Sequence, residues 1–141
     1  MPRMIFVNLP VADLARATAF YEALGATVNP EFTGEVSACM VFSETIHVML
    51  LNHARFKDFT PKAISDAKAT TEVLLALFAD SRAAVDAAAE AASKAGGKVD
   101  VVPAQDHGFM YSRSIEDPDG HIWEMGWMDM DAFRKANQPA A

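Results

Sequence analysis

The residues best equipped for chemistry stand near the end of the chain, in Glu116-Asp-Pro-Asp-Gly-His-Ile-Trp-Glu124-Met. Residues 117–120 have the composition of a tight turn, because proline pre-sets φ at the first central position and glycine accepts a positive φ. The residues that follow, 121–128, are predicted to form a strand in which Glu124 is a carboxylate among apolar neighbours. Glu124 is therefore a candidate general base or metal ligand. A hydrogen-bonded, catalytically idle carboxylate is the alternative.

Two further polar residues are predicted to share strand faces with apolar ones. His47 stands two residues before Met49, so both side chains point to one side of a strand over 45–51. His47 is a candidate for binding a polar ligand, or a satisfied residue of a cavity wall. Asn8 shares a face with Phe6 in the same way, and its amide can both donate to and accept from a ligand. A local backbone contact of Asn8 is the alternative.

Other polar residues are weaker candidates. Tyr111 and Arg113 share a face, and an inward arginine would pair with a carboxylated ligand, whereas an outward one is simply solvated. His121 has the opposite parity to Glu124, so the two are not expected to bind one ion. The remaining histidines fall in predicted loops and receive no role: His53 and His107. The opposite face of the last strand is expected to be core, through Trp123, Met125 and Trp127.

Composition narrows the class of protein. The chain has 141 residues, of which 51% are hydrophobic, enough for one compact domain. A formal net charge of -7 repels nucleic acid and anionic membrane surfaces. The single cysteine, Cys39, cannot form an internal disulfide and lies in an apolar stretch, as expected in a reducing compartment. No apolar run is long enough to span a bilayer, so we expect a cytoplasmic protein with neither nucleic-acid nor membrane partners.

The first half of the chain is predicted to be βαβββ. A strand over 4–11 precedes a helix over 14–24, which Asp13 caps and Gly25 ends. Three strands follow, over 26–30, 36–42 and 45–51, the last two joined by the short connection Ser43-Glu44. Residues 53–70 are polar and mixed, which predicts a linker with a short helical turn before Pro61.

The second half repeats this order of elements. A strand over 71–79 precedes an alanine-rich helix that Asp80 or Ser81 caps and that ends near Lys94 before Gly96-Gly97. Strands are predicted over 98–102, 109–115 and 121–128. We therefore predict one α+β domain over 1–141, with module one at 4–52, the linker at 53–70, module two at 71–128 and a tail at 129–141. The tail is expected to form a short helix from Asp129 or Asp131 and to fray from residue 138 onwards.

Two βαβββ modules, the segment Val11-Ala-Asp-Leu14 with Phe20-Tyr21 and Gly25, and the closing turn and strand up to Glu124 resemble the vicinal oxygen chelate superfamily. This superfamily includes glyoxalase I, fosfomycin and bleomycin resistance proteins, and extradiol dioxygenases. The resemblance covers residues 4 to about 128. It implies two curved sheets around a cavity and a homodimer, and in metal-dependent relatives a divalent ion bound by His, Gln or Glu from the first and last strands of each module.

Carried over onto this sequence, the four ligand positions fall at Phe6, Met49, Leu74 and Glu124. Only Glu124 has a ligand side chain that suits a hard or borderline ion, since phenylalanine and leucine have no lone pair and a thioether prefers copper(I). A shift in alignment at Leu74 would bring in Glu72 as a second carboxylate on the same face. The resemblance therefore implies a degenerate metal site and no bound cofactor, unless the true ligands differ from these.

Three functions follow from these residues. The first is metal-free binding of a small organic molecule in an apolar cavity lined by Phe6, Asn8, His47, Met49, Glu72 and Leu74, similar to the bleomycin-resistance branch. The second is a metal-dependent enzyme, either a lyase similar to lactoylglutathione lyase or a dioxygenase, with Glu124 moving a proton. The third is metal-free proton transfer by Glu124 with His47. We expect the first, and a β-bulge in either strand would invert which residues face the cavity.

Overall fold

The computed structural model describes residues 2–138. Its first module contains β1 (Ile5–Val11), α1 (Leu14–Ala23), β2 (Thr27–Asn29), β3 (Ser37–Val41) and β4 (Ile46–Asn52). The linker region begins with α2 (His53–Phe56) and a 3-10 turn, Lys57–Phe59. The second module contains β5 (Leu75–Phe78), α3 (Arg82–Lys94), β6 (Lys98–Val99), β7 (Gln105–Asp106), β8 (Met110–Glu116) and β9 (Ile122–Met128), and α4 (Met130–Ala136) follows.

The strands form two curved, unclosed sheets, which makes this an α+β fold. The first sheet has the order β1-β4-β3-β2, with β1 parallel to β4 and the other pairs antiparallel. The second has the order β5-β9-β8-β6, with β5 parallel to β9 and β7 paired to β8. The two modules are therefore built alike, apart from the short strand β7.

One apolar core lies between the helices and the sheets. Helix α1 packs against β3 and β4, and α3 packs against β8 and β9. Aromatic side chains join the two halves of this core, since the Tyr21 ring lies 6.0 Å from that of Trp123 and the Phe42 ring lies 5.7 Å from it. Trp123 and Met125 are buried, as predicted, and Trp127 is half-buried under the Arg82 guanidinium.

The predicted ends of both long helices are confirmed. Asp13 accepts a hydrogen bond from the backbone N–H of Arg16, and Ser81 does the same for Ala84. Gly25 and Gly96 follow the helices with φ of 101° and 94°. Glycine adopts this left-handed backbone without the steric cost of a Cβ atom, so it ends a helix well. The predicted helical turn before Pro61 and the tail helix, capped by Asp129, are also present.

Three predicted boundaries were wrong. The strand predicted over 71–79 is limited to β5, because residues 71–74 take no partner strand and lie beside the linker. The strand predicted over 98–102 ends at Val99, because Asp100 has a φ of 52° and leaves the ladder. The connection between β3 and β4 has four residues, 42–45, and not two. The predicted fraying of the tail concerns mainly residues 139–141, which lie outside the described range.

Within residues 2–138, every helix is too short or too polar to cross a lipid bilayer.

Candidate functional site

Four of the predicted ligand-binding residues share one face of the first sheet. The pairing of β1 with β4 sets Phe6 opposite His47 and Asn8 opposite Met49. The Phe6 and His47 rings stack with centroids 4.4 Å apart. His47 is only 6% exposed, whereas Phe6 is 41% exposed. The Nδ1 atom of His47 is buried without a hydrogen-bond partner in the described chain, so this face combines an aromatic surface with one unused polar atom.

Glu124 lies on the corresponding face of the second sheet. Its cross-strand neighbours are Ala76 on β5 and Ser114 on β8, and its side chain is half-buried. Phe78 is 55% exposed and its ring packs over Gly126, where a Cβ atom would lie 3.1 Å from it. Glu124 is therefore surrounded by small side chains, with one exposed aromatic ring nearby. The ladder of β8 with β9 runs without a break from Met110 to Glu116, as the predicted strand parity requires.

The side chains present do not fit a divalent ion. Of the four positions that the superfamily uses, Phe6 and Leu74 offer no donor atom and Met49 offers a thioether, which leaves Glu124 alone. Elsewhere among residues 2–138, no three His, Cys, Asp or Glu side chains come together as a metal ion would require. We therefore derive no step of a reaction through a metal at this site.

A cavity of about 290 Å³ lies beneath the linker. Its walls come from β1, from the start of β9 and from residues 56–75, and they include Asn8, Ile64, Glu72 and Ile122. Most of the lining is apolar, with a few polar groups, which is the usual character of a small-molecule site. The structure thus brings two of the predicted ligand-binding residues, Asn8 and Glu72, to one cavity. The other predicted residues do not line it: Phe6, His47, Met49, Leu74 and Glu124.

A second cavity, of about 520 Å³, adjoins the first. Six residues border both cavities: Pro10, Ala63, Ile64, Ser65, Ala67 and His121. Lys57, Lys68 and Asp119 line only the second. The second cavity therefore has more charged side chains around it than the first, which is mainly apolar and is bordered by Lys62 and Glu72.

His121 lies in the wall that these cavities share. Its strand parity is opposite to that of Glu124, so the two are not expected to bind one ion. Its Nε2 atom lies 2.8 Å from the carbonyl oxygen of Pro10. A carbonyl oxygen only accepts, so Nε2 must carry a proton. The backbone N–H of His121 donates to Asp117. The ring is thus fixed in position by contacts to both modules.

A buried hydrogen-bond network holds the turn that bears these residues. The Tyr21 hydroxyl donates to Asp117 Oδ2 at 2.6 Å and accepts from Trp123 Nε1 at 3.0 Å. Asp117 Oδ1 accepts from the N–H groups of Asp119 and His121. Burial raises the pKa of Asp117 above its usual value, although the electrostatic effect of His121 and the Tyr21 hydrogen bond oppose this. Burial and the nearby Asp117 carboxylate also raise the pKa of Tyr21.

The linker packs directly on the same turn. Gly120 has a φ of 98°, and a Cβ atom built on it would lie 2.6 Å from the backbone nitrogen of Lys68 and 2.7 Å from the carbonyl carbon of Ala67. Glycine is therefore required at this position both for its backbone conformation and for the close approach. The Asp-Pro-Asp-Gly turn thus sets where the linker lies, and with it the shape of both cavities.

Arg113 faces the helix and not a cavity. Its guanidinium pairs with Asp100 at 2.8 Å and with Asp86, on α3, at 3.1 Å. Tyr111 donates to Asp86 on the same side. These hydrogen bonds lower the pKa of both carboxyls. Arg113 therefore matches neither alternative, because it lines no cavity and is not simply solvated: it is an ion-pair partner that ties α3 to β8.

A family model described as the Glyoxalase/Bleomycin resistance protein/Dioxygenase superfamily matches residues 3–125. Among solved structures, a hypothetical protein from S. aureus is 24% identical with a TM-score of 0.74, over 90% of this chain and 94% of that one. A glyoxalase/bleomycin resistance protein/dioxygenase family enzyme from Burkholderia phytofirmans is 16% identical, with a TM-score of 0.73 over 91% and 100% of the chains.

A glyoxalase-related enzyme from Fulvimarina pelagi has a TM-score of 0.73 and 21% identity, over 90% of this chain and 88% of that one. At these identities the likeness establishes the fold alone. No curated protein sequence matches the chain.

Proposed function

Since the chain belongs to the glyoxalase/bleomycin resistance protein/dioxygenase superfamily, we propose that it binds a small organic molecule in an apolar cavity without a metal ion. The observation that carries this proposal is the 290 Å³ cavity beneath the linker, which is lined mainly by apolar groups and includes Asn8 and Glu72. A volume of this size suits a small ring system. Burial of the ring against Ile64 and Ile122 would supply most of the affinity.

The side chains at the four ligand positions of the superfamily favour this function over a lyase or dioxygenase that uses a divalent ion. Apolar side chains stand at Phe6 and Leu74, and a single carboxylate binds a hard ion weakly. Metal-free proton transfer by Glu124 with His47 is not favoured either. These two residues belong to different sheets, and neither lines the cavity.

We also propose that the chain forms a homodimer. Large apolar side chains are exposed on the sheets and at their edges, among them Phe6, Phe78 and Leu74, the last two 55% exposed each. Where such side chains form one contiguous patch, the patch usually marks a contact with another protein. Size-exclusion chromatography with light scattering measures the mass directly. Twice the chain mass of 15.3 kDa supports the proposal, and a monomer over the whole concentration range contradicts it.

Indole, a neutral apolar ring, tests the proposed binding. We expect saturation-transfer NMR to detect it with the purified protein in a chelating buffer. Ala63 borders both cavities, so Ala63→Trp fills the space and should abolish the signal. Ala69 is exposed in the same linker and lines neither cavity, so Ala69→Trp is the matched control and should leave the signal unchanged. An equal signal in both variants would place indole elsewhere and contradict the proposal.

A further inference from the structure

The second cavity contains an unused acceptor that the proposed function does not explain. Asp119 borders this cavity, and its side chain is only 8% exposed. The Oδ1 atom accepts from the backbone N–H of Ala12 at 2.9 Å and lies 3.5 Å from the Arg16 guanidinium. The Oδ2 atom is buried and has no hydrogen-bond partner within residues 2–138.

A buried carboxylate oxygen without a donor is unfavourable, because it has lost water and gained no replacement. The Arg16 contact does not remedy this, since it is made to the other oxygen and Arg16 is itself half-exposed. Oδ2 is also shielded from water, so a donor from a bound molecule reaches it only after a small shift of the wall that Asp119 shares with the second cavity. Asp119 therefore places a largely buried carboxyl group at the wall of the second cavity.

We propose that the second cavity binds the protonated amine of a ligand whose apolar body occupies the first. Asp119 is the partner of the amine. Because the two cavities share six wall residues, one small molecule can occupy both. This inference rests on the proposed function and adds the chemical class of the ligand, namely small aromatic or aliphatic primary amines.

The cations that border the same cavity do not remove this preference. Lys57 and Lys68 are exposed, so their charges are screened by water and salt. The Asp119 carboxylate is largely removed from water, where a charge-assisted hydrogen bond is stronger than at the surface. An amine is therefore recognised by the buried group more strongly than it is repelled by the exposed ones.

Benzylamine and benzyl alcohol share an aromatic ring, but only benzylamine has an amine. A comparison of their affinities therefore measures the effect of the amine. In isothermal titration calorimetry at pH 7, we expect benzylamine to bind at least tenfold more tightly than benzyl alcohol. In Asp119→Asn, benzylamine should lose about tenfold in affinity, whereas benzyl alcohol should change less than twofold. Unchanged binding of the alcohol also shows that the variant is folded and that its cavity is intact.

Asp58→Asn is the matched control, because Asp58 is an exposed carboxylate of the same linker, pairs with Arg55 and borders neither cavity. It should leave benzylamine affinity within twofold of the original protein. Equal affinities for benzylamine and benzyl alcohol in the unmodified protein would overturn the inference and leave the proposed function standing. Failure of both probes and of indole would instead contradict the proposed function. An equal loss of benzylamine in both variants would also overturn the role of Asp119.

Discussion

Substitution of Gly120 by alanine tests how the turn and the linker fit together. Two costs are expected from the structure. The backbone has a φ of 98°, where an L-residue loses about 1–2 kcal/mol. The new Cβ atom would also lie 2.6 Å from Lys68 N and 2.7 Å from Ala67 C, both backbone atoms, so the linker must move. Overpacking of this kind costs about 1–3 kcal/mol.

Gly25→Ala is the matched control for the conformational part. Gly25 has a φ of 101°, but nothing lies within 4 Å of a Cβ atom built there. We therefore expect this variant to lose only about 1–2 kcal/mol of unfolding free energy. The loss for Gly120→Ala should be about 2–5 kcal/mol, the sum of the two terms.

Urea denaturation followed by circular dichroism measures both losses, and indole binding measured at low temperature reports the cavity. Gly120→Ala should lose indole binding even where it is fully folded, because the linker has shifted. Gly25→Ala should keep it. Equal stability losses together with unchanged indole binding would refute the idea that contact between the turn and the linker shapes the cavity.

Three other predictions concern the residues that hold the site. Tyr21→Phe removes the hydroxyl shared by Asp117 and Trp123, so it should cost about 1–3 kcal/mol in urea denaturation; a loss below about 0.5 kcal/mol would contradict the network. Burial raises the pKa of Asp117 in the folded protein above its value in the unfolded chain. The contribution of Asp117 to stability is therefore complete below the pKa of the unfolded chain and is lost as the pH rises through the pKa of the folded protein. We therefore expect the difference in unfolding free energy between the original protein and Asp117→Asn to fall from pH 3 to pH 7. An increase over this range would contradict the raised pKa. Arg113→Met loses two carboxylate partners and should cost about 1 kcal/mol or less, with a smaller difference in 1 M NaCl; a loss independent of salt would point to packing instead.

Residue periodicity was enough to predict the two modules and the faces of their long strands. Phe6, Asn8, His47 and Met49 share a face because β1 and β4 pair without a bulge, as strand period alone requires. The helix ends were equally predictable, since Asp13 and Gly25 act through local backbone chemistry. These features depend on neighbours within a few residues.

The cavity beneath the linker was not predictable from such patterns. Residues 53–70 have no periodicity, and their position depends on long-range contacts, among them those of α2 with β1 and of Ala67 and Lys68 with Gly120. His121 was set aside because its strand parity is opposite to that of Glu124, but its hydrogen bond to Pro10 places it in the cavity wall. The available signal was Gly120 of the Asp-Pro-Asp-Gly turn. A glycine can mark a close backbone approach as well as a turn, but the sequence pattern indicated only the turn.

The end of strand β6 was not predictable from the local sequence either. Asp100 adopts a left-handed backbone and ends β6 after two residues, although Val101 and Val102 have strand-forming side chains. Tertiary hydrogen bonds explain this, because Ser114 bonds to Val102 through its hydroxyl and to Asp100 through its carbonyl. Local propensity is overridden there by contacts with β8.

A crystal structure of the protein soaked with indole, from crystals grown with a chelator, would show where a neutral ring binds. We expect indole in the cavity beneath the linker, in contact with Ile64 and Ile122 and with no ion beside it. Indole bound only on the sheet face beside Glu124, with the linker cavity unchanged, would contradict this expectation.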